Sequence, residues 1–210
     1  MADVRWIIFD FDNTIADALS AWINAYNSVA PKYGCRVIGP ENYDVLRGKT
    51  AWQIKKALGV PLFKAAAMRR EIRQIFSSGI AQLKFHRGMD KVIPELFAKQ
   101  YRLGIFSSNT RENLRQFLQN NDFHKYFEFV EPEASLFYKG WQLKRVLKKY
   151  NIDPSQAFYI GDETKDVDAA KKAGMKSAAV TWGVNSKVAL LSHHPDFLAE
   201  TPEQLLKIFA

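Results

Sequence analysis

The chain has 210 residues, a formal charge of +8 and a pI near 9.5; 47% of its residues are hydrophobic and 25% charged. This is the composition of a soluble globular protein long enough for one large domain or a core with an insert, and no apolar run approaches the roughly 18 residues needed to span a membrane. The single Cys35 excludes an internal disulfide and a cysteine-rich zinc site, and the dispersed basic residues form no nucleic-acid recognition motif, so neither nucleic acid nor membrane is an expected partner.

The first residues, Met1-Ala2-Asp3-Val4-Arg5, carry no signal-peptide pattern, and a cytoplasmic protein is the expectation. Trp6-Ile7-Ile8-Phe9 is an apolar run suited to a strand buried on both faces. It leads into Asp10, Asp12 and Thr14, which an extended chain would point to one side. Residues 15–83 are rich in helix formers and contain no β-rich run. Breakers such as Pro31, Gly34, Gly39-Pro40, Gly48 and Gly59 divide them into helices near 17–29, 43–45, 51–58 and 62–76. From Gly88 onward helices are expected at 90–100, 112–119, 140–150 and 167–173, alternating with strands at 103–106, 127–130, 157–160 and 176–180. Thr201-Pro202-Glu203-Gln204 has the order of an N-cap, an N1 proline and a capping-box glutamine. Such alternation implies an α/β, Rossmann-like parallel sheet of about five strands. The helical stretch at 15–85 is then an inserted α-helical cap domain, and 1–14 with 86–210 is the core.

Polar groups recur where such a sheet places ligands, at the carboxyl ends of its strands. Asp10 and Asp12 would repel unless a cation lay between them, and oxygen ligands suit Mg2+. A calcium loop is excluded, because its required Gly and Glu are replaced by Ile15 and Ala21. Ser107 follows the 103–106 strand, where hydroxyls and free N–H groups before a helix serve a phosphate or an ordinary N-cap. Lys139, after Phe137-Tyr138, precedes a helix. Gly161-Asp162-Glu163-Thr164-Lys165-Asp166 ends a buried strand in a glycine turn; Asp162 is placed to join Asp10, and Asp166 lies about one helical turn on.

Together these strings resemble the haloacid dehalogenase-like superfamily of phosphohydrolases. Asp10-Phe11-Asp12-Asn13-Thr14 is similar to its first motif, Ser107 to its second, Lys139 to its third and Gly161 through Asp166 to its fourth. The insert resembles the small α-helical cap of the phosphoglycolate phosphatase-like branch. Asn13 stands where that branch often has Gly, and Asn tolerates the backbone angles such a position demands. The resemblance implies a phosphatase acting on a small phosphorylated metabolite. Asp10 would be the nucleophile and Asp12 the acid and base. Mg2+ would be held by Asp10, the Asp12 carbonyl and Asp162, with Asp166 in support. Ser107, the backbone around Ser108, and Lys139 would hold phosphoryl oxygens, and Thr14 would orient the loop. A monomer is expected.

Other readings are weaker. Arg47-Gly48-Lys49-Thr50 mimics the end of a P-loop but has Tyr43 where the first Gly belongs; within a cap, Arg47 and Lys49 are candidates for the remote end of the substrate. The basic runs 69–73 and 144–149 read as solvated helix faces, and His193-His194 as a surface loop. Asp12 argues against a dehalogenase; a phosphomutase and a non-catalytic phospholigand-binding scaffold remain as alternatives.

Overall fold

Strand β1 (Trp6–Phe9) lies near the middle of a six-stranded sheet of order β3-β2-β1-β4-β5-β6. The computed structural model describes residues 4–133 and 138–210. The start of the N-terminal string, Met1–Asp3, and Phe137 of the third motif lie outside the described residues. Every strand pairing is parallel.

After β1 come four helices, α1 (Leu19–Val29), α2 (Pro40–Arg47), α3 (Ala51–Ala57) and α4 (Ala65–Ser78). Helix α5 (Met89–Ala98) then leads to β2 (Arg102–Ser107), α6 (Arg111–Asn120), β3 (Phe127–Pro132) and α7 (Lys139–Lys149). The chain continues through β4 (Ala157–Gly161), α8 (Thr164–Ala173), β5 (Lys176–Val180), α9 (Lys187–Ser192), β6 (Phe197–Ala199) and α10 (Pro202–Ile208). Among the described residues, none of the helices is long and apolar enough to cross a membrane.

The sheet exceeds the expected five strands by β6. Its three residues follow Pro195-Asp196 and are too few to show alternation; pairing with β5 makes them a strand. The expected capping box at α10 is not formed. Thr201 makes no side-chain cap, and Gln204 Oε1 accepts from the Glu200 N–H at 2.6 Å, one residue before the N-cap.

Burial on both sheet faces explains the apolar runs. Ile7 and Phe9 join one core with Leu103, Ile105, Phe158 and Ile160. Trp6 and Ile8 face the other, with Phe106, Tyr159 and residues of α7 and α8. Ile7, Ile8 and Phe9 are fully buried, each contributing roughly 1.5–3 kcal/mol of transfer free energy. Between β2 and β4, β1 is also the point where the strand order reverses, since β3 follows β2 on one side and β5 follows β4 on the other. The register aligns Phe9 with Ile105 and Ile160. Asp10, Ser107 and Asp162 therefore emerge side by side at the carboxyl edge, the usual ligand site of such sheets.

Candidate active site

The loop after β1 does not continue the pleat. Asn13 takes a left-handed conformation with φ 60°. The Phe11 carbonyl accepts from the N–H groups of Thr14, Ile15 and Ala16, so the chain turns instead of extending. The expectation that Asp10, Asp12 and Thr14 share one side of a strand is therefore corrected. Asp10 faces Lys139 Nζ at 3.2 Å. Thr14 Oγ1 donates to Asp162 Oδ1 at 3.1 Å. Asp12 Oδ1 instead accepts from Asn109 Nδ2 at 2.9 Å.

Lys139, the first residue of α7, is 6% exposed, against the usual surface position of lysine. Its ammonium bridges Asp10 and Asp166, the latter at 2.7 Å. Burial alone would lower its pKa, but the two carboxylates hold it well above the usual value. Asp166 also accepts from the Glu163 N–H at 3.0 Å, so it caps α8 and faces the cluster at once. Close approach explains two glycines: a Cβ on Gly161 would overlap the Asp166 carboxylate, and one on Gly183 that of Asp162.

Asp10, Asp162 and Asp166 are all buried, and one oxygen of each lies within 4.8 Å of the others. Burial raises Asp10 against the pull of Lys139. Burial, reinforced by Glu163 and Asp166, pushes Asp162 well above the carboxylate range. Crowded, desolvated oxygens of this kind fit a hard divalent cation. The Asp12 carboxylate is not in this cluster. Burial and the Asp10 charge raise it to about 7, while the Asn109 and Trp22 hydrogen bonds oppose the rise.

Ser107 is fully buried at the end of β2, and its Oγ accepts from the Asn109 N–H at 3.3 Å. Thr110 caps α6 through the Asn113 N–H, so capping and a polar strand end coexist there. The Ser108 carbonyl accepts from Arg73 Nη2 at 2.7 Å. The basic run 69–73 is expected to form a solvated helix face, but its Arg73 is half-buried on α4. With Arg69, Arg70, Gln74, Ser77 and Thr110 it lines a cleft of about 530 Å³. Burial and Arg69 lower its pKa, while Asp12 and Glu133 oppose the shift, which puts the guanidinium within electrostatic reach of Asp12.

Arg47 and Lys49 are not brought to the acidic cluster. The Arg47 guanidinium donates to the Thr181, Gly183 and Val184 carbonyls at 3.1, 3.1 and 3.2 Å. Lys49 lines a separate cleft with Arg36, Gln53 and Lys56. Those Arg47 donors are committed to the loop 181–184. Thr50, the last residue of the P-loop-like string, caps α3 with Gln53. His193 pairs with Asp168 at 2.8 Å near the surface, and Cys35 packs in a small apolar cluster with Met68.

Three contributors had no distinct signal in the motifs: Asn109, Glu133 and Asn185. Each follows the end of a strand, β2, β3 and β5 respectively. The rule that singled out Ser107 and Asp162, applied to every strand, reaches Asn109 and Glu133, whereas Asn185 lies five residues beyond β5 and carries no such signal.

Residues 7–180 match the haloacid dehalogenase-like hydrolase family. The chain belongs to that family. It is 32% identical over 201 residues to a phosphoglycolate phosphatase of Synechococcus elongatus, covering 96% of this chain and 95% of the relative. A pyrophosphatase PpaX of Bacillus velezensis is 23% identical over 225 residues, covering 98% and 96% of the two chains. A haloacid dehalogenase-like hydrolase structure from Streptococcus pneumoniae superposes with a TM-score of 0.79 at 23% identity over the whole of both chains. A candidate β-phosphoglucomutase from Thermotoga maritima does so at 0.69 and 21% over 98% of each, showing the shared fold. This haloacid dehalogenase-like protein is an enzyme of the phosphatase kind.

Proposed function

We propose that this phosphatase hydrolyses a small phosphorylated metabolite by way of an aspartyl-phosphate on Asp10, with Mg2+ as cofactor. The buried arrangement of Asp10, Asp162 and Asp166 around Lys139 carries the reading. Mg2+ would be held by Asp10, the Asp12 carbonyl and Asp162, with Asp166 in support, and would supply positive charge to the phosphoryl oxygens.

Asp10 Oδ attacks phosphorus, and the ester P–O bond breaks. Asp12 gives its proton to the departing oxygen; a carboxyl raised to about 7 still carries that proton in roughly half of the molecules at neutral pH. Asp12 then takes a proton from the water that attacks phosphorus, which frees inorganic phosphate and restores Asp10. Ser107, the Ser108 backbone and Lys139 hold the phosphoryl oxygens, and Lys139 opposes the rise that burial imposes on the Asp10 carboxyl. Thr14 orients the loop through Asp162. The cleft beside Arg73 receives the part of the substrate that is not transferred, and its three arginines suit a second anionic group, as in the phosphoglycolate for which the Synechococcus relative is named.

In this reading residues 15–85 are the cap and 1–14 with 86–210 the core. The enzyme works as a monomer in the cytoplasm, where a lone cysteine suits a reducing compartment.

Single-turnover kinetics with labelled substrate tests the roles. Asp10→Asn should form no phosphoenzyme. Asp12→Asn should form it from p-nitrophenyl phosphate, whose leaving group departs without a proton, far faster than from an alkyl phosphate. Labelled phosphoenzyme in Asp10→Asn would refute the nucleophile. Release of inorganic phosphate distinguishes the phosphatase from a mutase, which would pass the group to a second hydroxyl, and from a scaffold, which would do neither.

A further inference from the structure

Arg47 ends α2, far from the four motifs in sequence, yet it grips the loop 181–186 beyond β5 from both sides. Its guanidinium donates to three carbonyls of that loop, at Thr181, Gly183 and Val184. Its own carbonyl accepts from the Ser186 N–H at 2.9 Å and from Asn185 Nδ2 at 3.0 Å. Asn185 Nδ2 also donates to the Lys49 carbonyl at 3.0 Å, so the whole α2–α3 corner is tied to the loop.

The same loop holds the acidic cluster on its other side. The Val184 N–H donates to Asp162 Oδ2 at 2.7 Å, and the Asn185 N–H to the Asp162 carbonyl at 3.2 Å. Asn185 Oδ1 accepts from the Thr164 N–H at 2.9 Å, at the start of α8. Gly183 lies so close to the Asp162 carboxylate that no side chain fits between them. Asn185 is 2% exposed, and its carboxamide uses both of its ends. The loop is therefore a short, hydrogen-bonded spacer between the helical insert and one carboxylate of the cluster.

We propose that Arg47 and Asn185 form a latch through which docking of the α2–α3 corner sets the orientation of Asp162, making both positioning residues for the cation site. This rests on the reading of Asp162 as a metal ligand. When the corner lifts, the Thr181, Gly183 and Val184 carbonyls lose their shared donor, and the N–H that fixes Asp162 Oδ2 moves with them. Linkage makes the effect reciprocal: a cation that orders Asp162 favours the docked corner, and a docked corner strengthens cation binding. Lysine cannot replace Arg47, because one ammonium cannot reproduce a planar guanidinium spread over three carbonyls.

Hydrogen exchange and Mg2+ titration calorimetry on the full chain test the latch. In the unmodified protein, Mg2+ should slow exchange at 181–186 and at 46–50 with one common midpoint. Protection confined to 181–186 would overturn the proposal without any variant. Arg47→Ala and Arg47→Lys should each weaken Mg2+ binding roughly tenfold, within the usual range of coupling between sites, and remove the protection at 46–50. Asn185→Ala should add little to Arg47→Ala if the two act as one unit. Unchanged Mg2+ affinity in folded Arg47→Ala would sink the latch. Unchanged affinity in Asp162→Asn would instead sink the metal assignment on which it stands.

Discussion

Asn109 Nδ2 donates to Asp12 Oδ1 at 2.9 Å, joining the loop after β1 to the start of α6. The other end of the same carboxamide accepts from the Thr110 N–H and from Asn113 Nδ2, each at 2.8 Å. Asn113 in turn donates to Ser77 Oγ of α4 at 2.9 Å. A chain of amides thus runs from the proposed acid to α4.

That bond sets a pH limit. Asp12 must hold a proton to assist the leaving group, so kcat/KM for an alkyl phosphate should fall as pH rises through about 7. Asn109 stabilises the ionised form. Asn109→Ala should move the alkaline limb upward by about one pH unit, the equivalent of roughly 1.4 kcal/mol. A pH–rate profile checks this; a limb that stays in place or moves down would remove Asn109 from the account.

Cation binding should appear as stability. Asp162 has a folded pKa above its ordinary value of 3.8, so its ionisation costs stability as pH rises from that value through the folded one. The metal-free protein should therefore gain markedly at neutral pH when Mg2+ is added, by about 2.7 kcal/mol at a hundred times Kd. Asp162→Asn should abolish the gain, whereas Glu163→Gln should keep it, because Glu163 pairs with Lys165 at 2.6 Å. Thermal melts with Mg2+ and with EDTA decide the matter.

Arg73 should separate substrates. Arg73→Ala removes the donor to the Ser108 carbonyl and a positive charge from the cleft. Loss of a charge-assisted hydrogen bond of about 1.5–3 kcal/mol predicts a KM rise of about ten- to a hundredfold for a substrate with a second anionic group. For p-nitrophenyl phosphate the rise should be much smaller. Equal losses for both substrates would mean that Arg73 only supports the loop.

Away from the site, Glu131 gathers Lys149 at 2.5 Å, Tyr150 at 2.6 Å and Arg111 at 2.8 Å. Burial would raise its pKa, but these three partners hold it down to about 2. Its contribution is full above its ordinary 4.5 and is lost as pH falls toward 2. Glu131→Gln should cost about 1.5–3 kcal/mol at pH 7. The gap from the parent in urea melts should narrow between pH 5 and pH 3. A constant gap would show that packing, not charge, makes the difference.

The parallel sheet, the helical stretch after β1 and the acids at the ends of β1 and β4 were legible in the residues themselves. Apolar runs, glycine turns and caps act between neighbours in the chain, and their energetics are the same wherever the segment lies. Even Asn13, singled out because it stands where the resembled branch often has Gly, holds the left-handed turn. The direction of each polar side chain was not legible, because its partner lies far along the chain: 97 residues separate Asp12 from Asn109, and 148 separate Thr14 from Asp162. Pleat alternation placed Asp12 beside Asp10, but the turn at Asn13 broke the alternation and a remote amide claimed the carboxylate. The surroundings of Arg47 and Arg73 were not legible for the same reason. A guanidinium goes to whichever carbonyls folding brings within reach, and only the packing of the insert on the sheet decided that Arg47 ties down a loop while Arg73 faces the cleft.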